Sequence, residues 1–173
     1  MKKQKNNFKG KRILITGHTG FKGSWLSLWM HHNKAKVLGI SDRVPTQPSH
    51  FKLLNIKGKL LSKMIDITDL NKLKKIFLTF KPDYVFHLAA QAIVKSSYEN
   101  PVRTWHSNLI GTVNVLECLR FVKKKTIAVI ITSDKAYKNL EIKRGYKESD
   151  VLKGYDPYGA SKSSADIAIN SYY

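Results

Sequence analysis

Three scarcities bound what this chain can be. One cysteine, Cys118, among 173 residues excludes an internal disulfide and any cysteine-based zinc cluster, which fits a reducing cytoplasm. It falls on an apolar helical pattern, so it reads as buried filler, and no metal is expected. Long apolar runs are also missing. No stretch approaches the ~20 residues of a membrane span. The basic residues 1–12 precede only a three-residue apolar stretch before Thr16 and Gly17, which is too short for an export signal. A cytoplasmic location with no membrane partner is expected. Acidic residues are the third scarcity, at 12 against 31 Lys and Arg, for a net charge of +19. Such a surplus raises nucleic acid as a partner. Six of the positive charges, however, lie in residues 1–12, and others cluster at Lys72, Lys74, Lys75 and residues 123–125. Only 5 of the 31 are Arg, the side chain suited to bidentate phosphate and guanine contacts. A solvated lysine-rich surface is expected, without nucleic-acid binding.

What is present, with 42% apolar residues, is enough core for one domain. After a basic polar tail over residues 1–11, short apolar runs alternate with helical patterns across residues 12–173. Strands are predicted at 12–16, 36–41, around 63–66, at 83–88 and at 126–132. The last is apolar throughout and is expected to be covered on both faces. Phe21, Trp25, Leu28 and Trp29 line one face of a helix over 20–31. Residues 42–58, with Pro45 and Pro48, read as a loop. Leu70, Leu73, Ile76 or Phe77, and Phe80 mark a helix capped by Thr68 or Asp69 and stopped at Pro82. Asn100-Pro101 starts one long helix through Val102, Trp105, Leu109, Val113 and Leu116. Residues 133–156 are mostly loop, and Asp156-Pro157 starts a last helix that runs to the chain end. Continuous apolar strands alternating with helices predict an α/β fold with a doubly wound parallel sheet of the Rossmann type.

Chemistry concentrates at the predicted strand ends. Gly17-His18-Thr19-Gly20-Phe21-Lys22-Gly23 leaves the first strand and opens the first helix. Glycines at that spacing allow a tight turn, a close backbone approach to a pyrophosphate, and close helix packing. The helix start adds unpaired N–H groups for phosphate. Alone, the pattern also describes an ordinary strand-helix connection. Asp42, 25 residues after Gly17 at the end of the second strand, supplies the acidic partner for an adenosine ribose and favours NAD over NADP. The adjacent Arg43 pulls the other way, because an Arg there accommodates a 2′-phosphate.

Tyr158 and Lys162 stand four apart on one face of the last helix. A phenol is a poor base at neutral pH until a neighbouring cation stabilises the phenolate, and Lys162 also suits a nicotinamide ribose. Such a pair occurs on many solvated helices. It gains weight beside Thr132-Ser133-Asp134-Lys135 at the fifth strand end, where Ser133 suits a substrate hydroxyl and Asp134 and Lys135 offer an acid and a base. Gly17, Asp42, Asp66, Ala89 and Ser133 all fall at carboxyl ends of strands, where ligands of such sheets sit.

With these residues in place, the chain resembles the extended short-chain dehydrogenase/reductase superfamily and, within it, the nucleotide-sugar 4,6-dehydratases. The likeness runs through residues 15–26, Phe86-His87-Leu88-Ala89-Ala90-Gln91, Thr132 to Lys135, and Gly154-Tyr155-Asp156-Pro157-Tyr158. Most of these dehydratases carry Thr-Asp-Glu where this chain has Ser133-Asp134-Lys135, and the lysine resembles the branch acting on CDP-glucose. The resemblance implies a cytoplasmic lyase of deoxysugar and lipopolysaccharide O-antigen synthesis, with NAD reduced and reoxidised on one sugar. Tyr158, helped by Ser133 and Lys162, would take the proton of the C4 hydroxyl. Lys135 would remove the C5 proton, and Asp134 would protonate the departing C6 hydroxyl, giving CDP-4-dehydro-6-deoxyglucose. Cofactor contacts are implied for Gly17, Thr19, Gly20, Phe21, Lys22, Gly23, Asp42, Asp66, Ile67, Leu88, Ala89, Ala90, Tyr158 and Lys162. Asn108 is implied as active-site support, and a homodimer as the assembly. Family members continue for about as many residues again, so the chain is expected to stop before the last strands and the small domain that holds the nucleotide-sugar. A dehydratase or epimerase for another nucleotide-sugar, and a non-catalytic NAD-binding module, remain alternative readings.

Overall fold

The computed structural model describes residues 7–55 and 60–172. The first six residues of the expected tail and residues 56–58 of the expected loop lie outside them. Five parallel strands form one sheet in the order β3-β2-β1-β4-β5, where β1 is Arg12–Thr16, β2 Lys36–Ser41, β3 Leu61–Met64, β4 Tyr84–His87 and β5 Ile127–Ile130. The helices are α1 (Phe21–His32), α2 (His50–Leu53), α3 (Leu70–Phe80), α4 (Val94–Glu99), α5 (Pro101–Trp105), α6 (Gly111–Phe121) and α7 (Pro157–Ser171). A π-helical turn, His106–Ile110, joins α5 to α6, and a 3₁₀ turn, Asp134–Ala136, follows β5. No helix of the described residues is long and apolar enough to cross a membrane.

Alternation along β1 builds the core on both faces of the sheet. Ile13 and Ile15 pack with Met30 and Val37 on one side. Leu14 packs on the other with Leu38, Ile40 and Val85, covered by Leu73 and Phe77 of α3 and Val115 and Cys118 of α6. This is the expected doubly wound arrangement. Strand order reverses between β1 and its neighbours, which places a crevice at their carboxyl ends. The predicted caps form: the carboxyl or amide oxygens of Asp69, Asn100 and Asp156 accept from the N–H groups of Lys72, Arg103 and Gly159.

Several expectations change. The aromatic stripe of α1 faces outward, with Phe21, Trp25 and Trp29 at least half exposed, while Gly23, Ser24, Ser27 and Met30 face the sheet. Small residues let the helix sit close, and the rings cover neighbouring surface instead. Trp25 and Phe21 pack on His50, and Trp29 meets the edge of Phe8. Phe8, expected in a polar tail, also packs against Tyr84 with ring centroids 5.3 Å apart. The expected 42–58 loop contains α2, and α4 forms where no helix was predicted. β3 starts two residues early, at Leu61. The predicted long helix is interrupted by the π-turn, and Thr104, Asn108 and Thr112 are the polar residues buried along it. β5 is not covered on both faces: Ile127, Val129 and Ile131 are 40–48% exposed.

Candidate active site

The glycine loop is held by what its backbone touches. Gly17 adopts φ +73°, and a Cβ there would lie 2.7 Å from the Ala89 nitrogen. Its own N–H donates to Ile40 O at 2.7 Å, so the loop is wedged between the ends of β2 and β4. A Cβ on Gly23 would collide with the Gly17 carbonyl, which is why α1 can begin directly on the loop. No side chain caps the α1 N-terminus and no acidic residue occupies its first turn. A glycine cradle leading into an uncapped helix start fits the pyrophosphate of a dinucleotide. Phe21 and Lys22 are exposed at that helix start.

Thr19 is almost fully buried and acts as a tie. Its N–H donates to Ser41 Oγ at 3.2 Å and its hydroxyl to Arg43 O at 2.5 Å. His18, noted in the sequence only as part of the loop, completes the brace. It lies over Gly39, with Nδ1 2.9 Å from Ser41 Oγ and Nε2 2.7 Å from Ser62 Oγ. Burial holds this imidazole below its ordinary pKa, outweighing the Ile40 backbone hydrogen bond that acts the other way. The phosphate loop and the Asp42-Arg43 pair are thus one mechanical unit.

Asp42 is partly exposed at the end of β2, 3.8 Å from Arg43 and 3.6 Å from Arg103 of α5. Asp66 Oδ1 accepts from both the N–H and the hydroxyl of Thr68 at 2.8 Å. Ile67 turns its side chain into the core against Gly111, and its carbonyl accepts from Asn114, so only main chain remains there to meet a ligand. Leu88, Ala89 and Ala90 leave β4 half-buried, with Ala89 N–H donating to Thr16 Oγ1 at 3.2 Å.

A buried polar chain joins this half to α7. His87 Nδ1 lies 2.6 Å from Thr16 Oγ1, and its Nε2 lies 3.1 Å from Thr112 Oγ1. Thr112 spends its single proton on Asn108 O at 2.6 Å, so His87 donates from Nε2 and accepts at Nδ1. Burial first, and the Lys162 charge second, push His87 down to about 3. Asn108, buried in the π-turn, exchanges two hydrogen bonds with the Gln91 backbone and donates to Ser161 Oγ at 2.9 Å. Ser161 in turn donates to Tyr158 O at 2.7 Å. Asn108 therefore ties the loop after β4 to the helix that carries Tyr158.

On that helix Lys162 is buried, its ammonium donating to Ile131 O at 3.1 Å. Burial pushes its pKa down to about 8. Tyr158, one turn earlier on the same face, is half-buried. The Ser133-Asp134-Lys135 turn packs under α7, where Ser163 Oγ donates to Ala136 O at 2.6 Å. Gly159 approaches the Lys135 carbonyl so closely that a Cβ would lie 2.8 Å from it. Ser133 Oγ donates to Asp134 Oδ1 at 3.3 Å and accepts from Lys135 N–H. Lys135 Nζ lies 3.5 Å from Asp156, the α7 cap. A hydroxyl, an acid and an amine thus stand on the turn after β5, with the buried Lys162 ammonium at the Ile131 carbonyl beside it and Tyr158 one turn earlier on α7. Sequence reasoning missed His18, His87, Gln91 and Arg103. The first three sat inside quoted motifs, and Arg103 left no local signal.

Residues 14–173 match the family described as GDP-mannose 4,6 dehydratase. The chain is 45% identical over 168 residues to CDP-glucose 4,6-dehydratase of Salmonella typhimurium, covering 97% of this chain and 47% of that protein. It is 32% identical to UDP-glucuronate 4-epimerase 2 of Arabidopsis thaliana, covering 94% and 38%. Among solved structures, UDP-glucose 4-epimerase of Thermotoga maritima with UDP-glucose aligns at TM-score 0.79 and 29% identity, covering 93% of this chain and 50% of the other. The Thermus thermophilus UDP-glucose 4-epimerase complex with NAD aligns at 0.77 and 27%, covering 93% and 50%. The chain spans about half the length of the relatives it matches. By the match over nearly all its residues, the chain belongs to the GDP-mannose 4,6 dehydratase family.

Proposed function

We propose that these residues form the cofactor-binding and catalytic portion of an NAD-dependent CDP-glucose 4,6-dehydratase. The observation that carries the reading is the Asp134-Lys135 turn seated under α7 beside buried Lys162. An epimerase has no use for an acid and a base placed to eliminate water. The relative from Salmonella typhimurium supports the choice of CDP-glucose. NAD, when bound, supplies the redox couple that oxidises the sugar at C4 and restores reduction at C6. Gly17, Thr19, Gly20, Phe21, Lys22 and Gly23 would hold its pyrophosphate and Asp42 its adenosine ribose. Asp66, Ile67 and residues 88–90 would line its path, and Lys162 would bond its second ribose.

The protein's own groups then move protons. Tyr158, its phenolate favoured by the Lys162 cation and aligned by Ser133, accepts the proton of the C4 hydroxyl. A ketone at C4 acidifies C5. Lys135 takes the C5 proton, Asp134 delivers one to the departing C6 oxygen, and water leaves with the C5–C6 electron pair balanced as an alkene. Asn108 keeps α7 in register with the loop after β4. The reading includes a cytoplasmic homodimer supplying a deoxysugar of the kind used in lipopolysaccharide O-antigen, supported by family resemblance and by the lone buried Cys118.

The test uses a polypeptide carrying residues 1–173 joined to the C-terminal half of the Salmonella relative. CDP-glucose and NAD should give the 4-keto-6-deoxy sugar. In Lys135→Met, absorbance of reduced cofactor should accumulate without product, because C5 is acidic only once C4 is a ketone. Product at the parental rate from that variant would remove Lys135 as the base.

A further inference from the structure

Asp42 stands at the end of β2, and Arg103 lies in α5, beyond β4. β1 and its glycine loop run between those strands, so an Asp42–Arg103 ion pair at 3.6 Å reaches across the crevice over the β1 end. Arg103 is aimed by a fixed platform. Its N–H is held by the Asn100 cap at 3.1 Å, and the adjacent Thr104 is fully buried and accepts from Gln91 Nε2 at 3.1 Å. Arg43 approaches the same Asp42 oxygen, Oδ2, from the β2 side at 3.8 Å. One carboxylate is thus bracketed by two guanidiniums, each about half exposed and free to take another anion.

We propose that Arg103 is a cofactor-specificity residue: reaching over the crevice to Asp42, it offsets that carboxylate's rejection of a 2′-phosphate on the adenosine ribose. This rests on the dinucleotide reading of the glycine loop. A lone carboxylate at the ribose repels a 2′-phosphate and accepts from both ribose hydroxyls. Bracketed by two forks, the carboxylate can release Arg103, whose planar guanidinium then bonds phosphate oxygens in pairs. Selectivity for the unphosphorylated ribose is therefore weaker than Asp42 alone would impose.

The experiment measures dissociation constants of the 173-residue chain for NADH and NADPH by cofactor fluorescence. Adenosine 5′-monophosphate and adenosine 2′,5′-bisphosphate, which differ only in the 2′-phosphate, are compared by calorimetry. Arg103→Gln should raise the ratio of phosphorylated to unphosphorylated dissociation constants about tenfold in both pairs, one charge-assisted contact being worth about that factor. Arg103→Lys, which keeps the charge and loses the fork, should raise it about threefold or less. Arg120→Gln, a guanidinium paired with Glu117 on α6, should leave it unchanged. A ratio within twofold of the parent in Arg103→Gln, or a fall in it, overturns the proposal while leaving the dinucleotide reading intact. Failure of the parent chain to bind either dinucleotide overturns that reading and this inference together.

Discussion

β4 and β5 are paired neighbours, yet Val85 on one face of β4 is fully buried and Val129 on the opposite face of β5 is 41% exposed. The half built on β1, β2 and β4 is packed backbone to backbone: glycines without room for a methyl, a histidine wedged over Gly39, a polar chain with each proton assigned. The half built on β5 and the 133–156 segment carries Ser133, Asp134 and Lys135 on a more exposed frame, although Gly154 and Gly159 there also leave no room for a methyl. Under the proposed function, a pre-formed cradle suits a cofactor that is bound in much the same way throughout the reaction. The proposed function asks Ser133, Asp134 and Lys135 to exchange protons with a sugar, and Asp134 and Lys135 are exposed with Ser133 partly so.

The sharpest way to break the contrast between the glycine cradle and the exposed loop after β5 is to add one methyl to each. Gly23→Ala places a Cβ against the Gly17 carbonyl and the His18 Cα, which are backbone and cannot turn aside. We expect a loss of about 3 kcal/mol or more in unfolding free energy, with loss of dinucleotide binding. Gly145→Ala, in the open loop after β5, meets nothing within 4 Å and should be neutral. Urea midpoints decide it, and equal midpoints for the two variants would erase the distinction.

His87 extends the contrast to pH. It is pushed from 6.5 to about 3 by burial and then by the Lys162 charge. Between those values the unfolded chain takes up a proton that the folded chain refuses. Stability is therefore unpenalised by this group above pH 6.5, falls as pH drops below it, and stops falling near 3. The loss should be on the order of a few kcal/mol. His87→Gln should lower stability at neutral pH but flatten the slope between pH 6 and 4. An unchanged slope would mean that another group governs acid sensitivity.

A gentler comparison truncates the two valines themselves. Val85→Ala leaves a cavity in a close-packed core and should cost about 2 kcal/mol. Val129→Ala, one strand over, should stay within about 0.5 kcal/mol. Matching losses would show that β5 is as well covered as β4.

This same pair shows what the sequence could disclose. The β5 run reads as apolar throughout, and local composition says nothing of which elements lie above it, so its expected coverage fails. The aromatic stripe of α1 fails for a related reason. Periodicity finds a face but not its direction, and the small residues Gly23, Ser24 and Ser27 win the sheet because they permit close approach. By contrast the glycine loop, Asp42 and the three caps are legible because turn, cap and phosphate chemistry are local. Arg103 at Asp42, His87 under Thr16 and Asn108 buried in a π-turn depend on segments distant in sequence, and no pattern within one element announces them.

The smallest effect is expected in the loop of the open half. Arg144 forks onto Asp150 with distances of 2.8 and 2.9 Å, and Lys147 N–H donates to the same carboxylate. The Arg144 hydrogen bonds first, and the Lys147 N–H second, hold Asp150 down to about 2 from 3.8. What the pair contributes is thus fully present above about pH 4 and lost only as pH falls through about 2. The pair is solvated, so its reach should be local. It pins the excursion between Lys138, whose N–H donates to Val151 O, and Lys153, whose N–H donates to Ala136 O. Asp150→Asn should leave the urea midpoint where it was, while trypsin at neutral pH cuts at Lys143, Arg144 or Lys147 several-fold faster. A midpoint that falls with the substitution would make this loop part of the same cooperative unit as the glycine cradle, and the two halves would have to be treated as one.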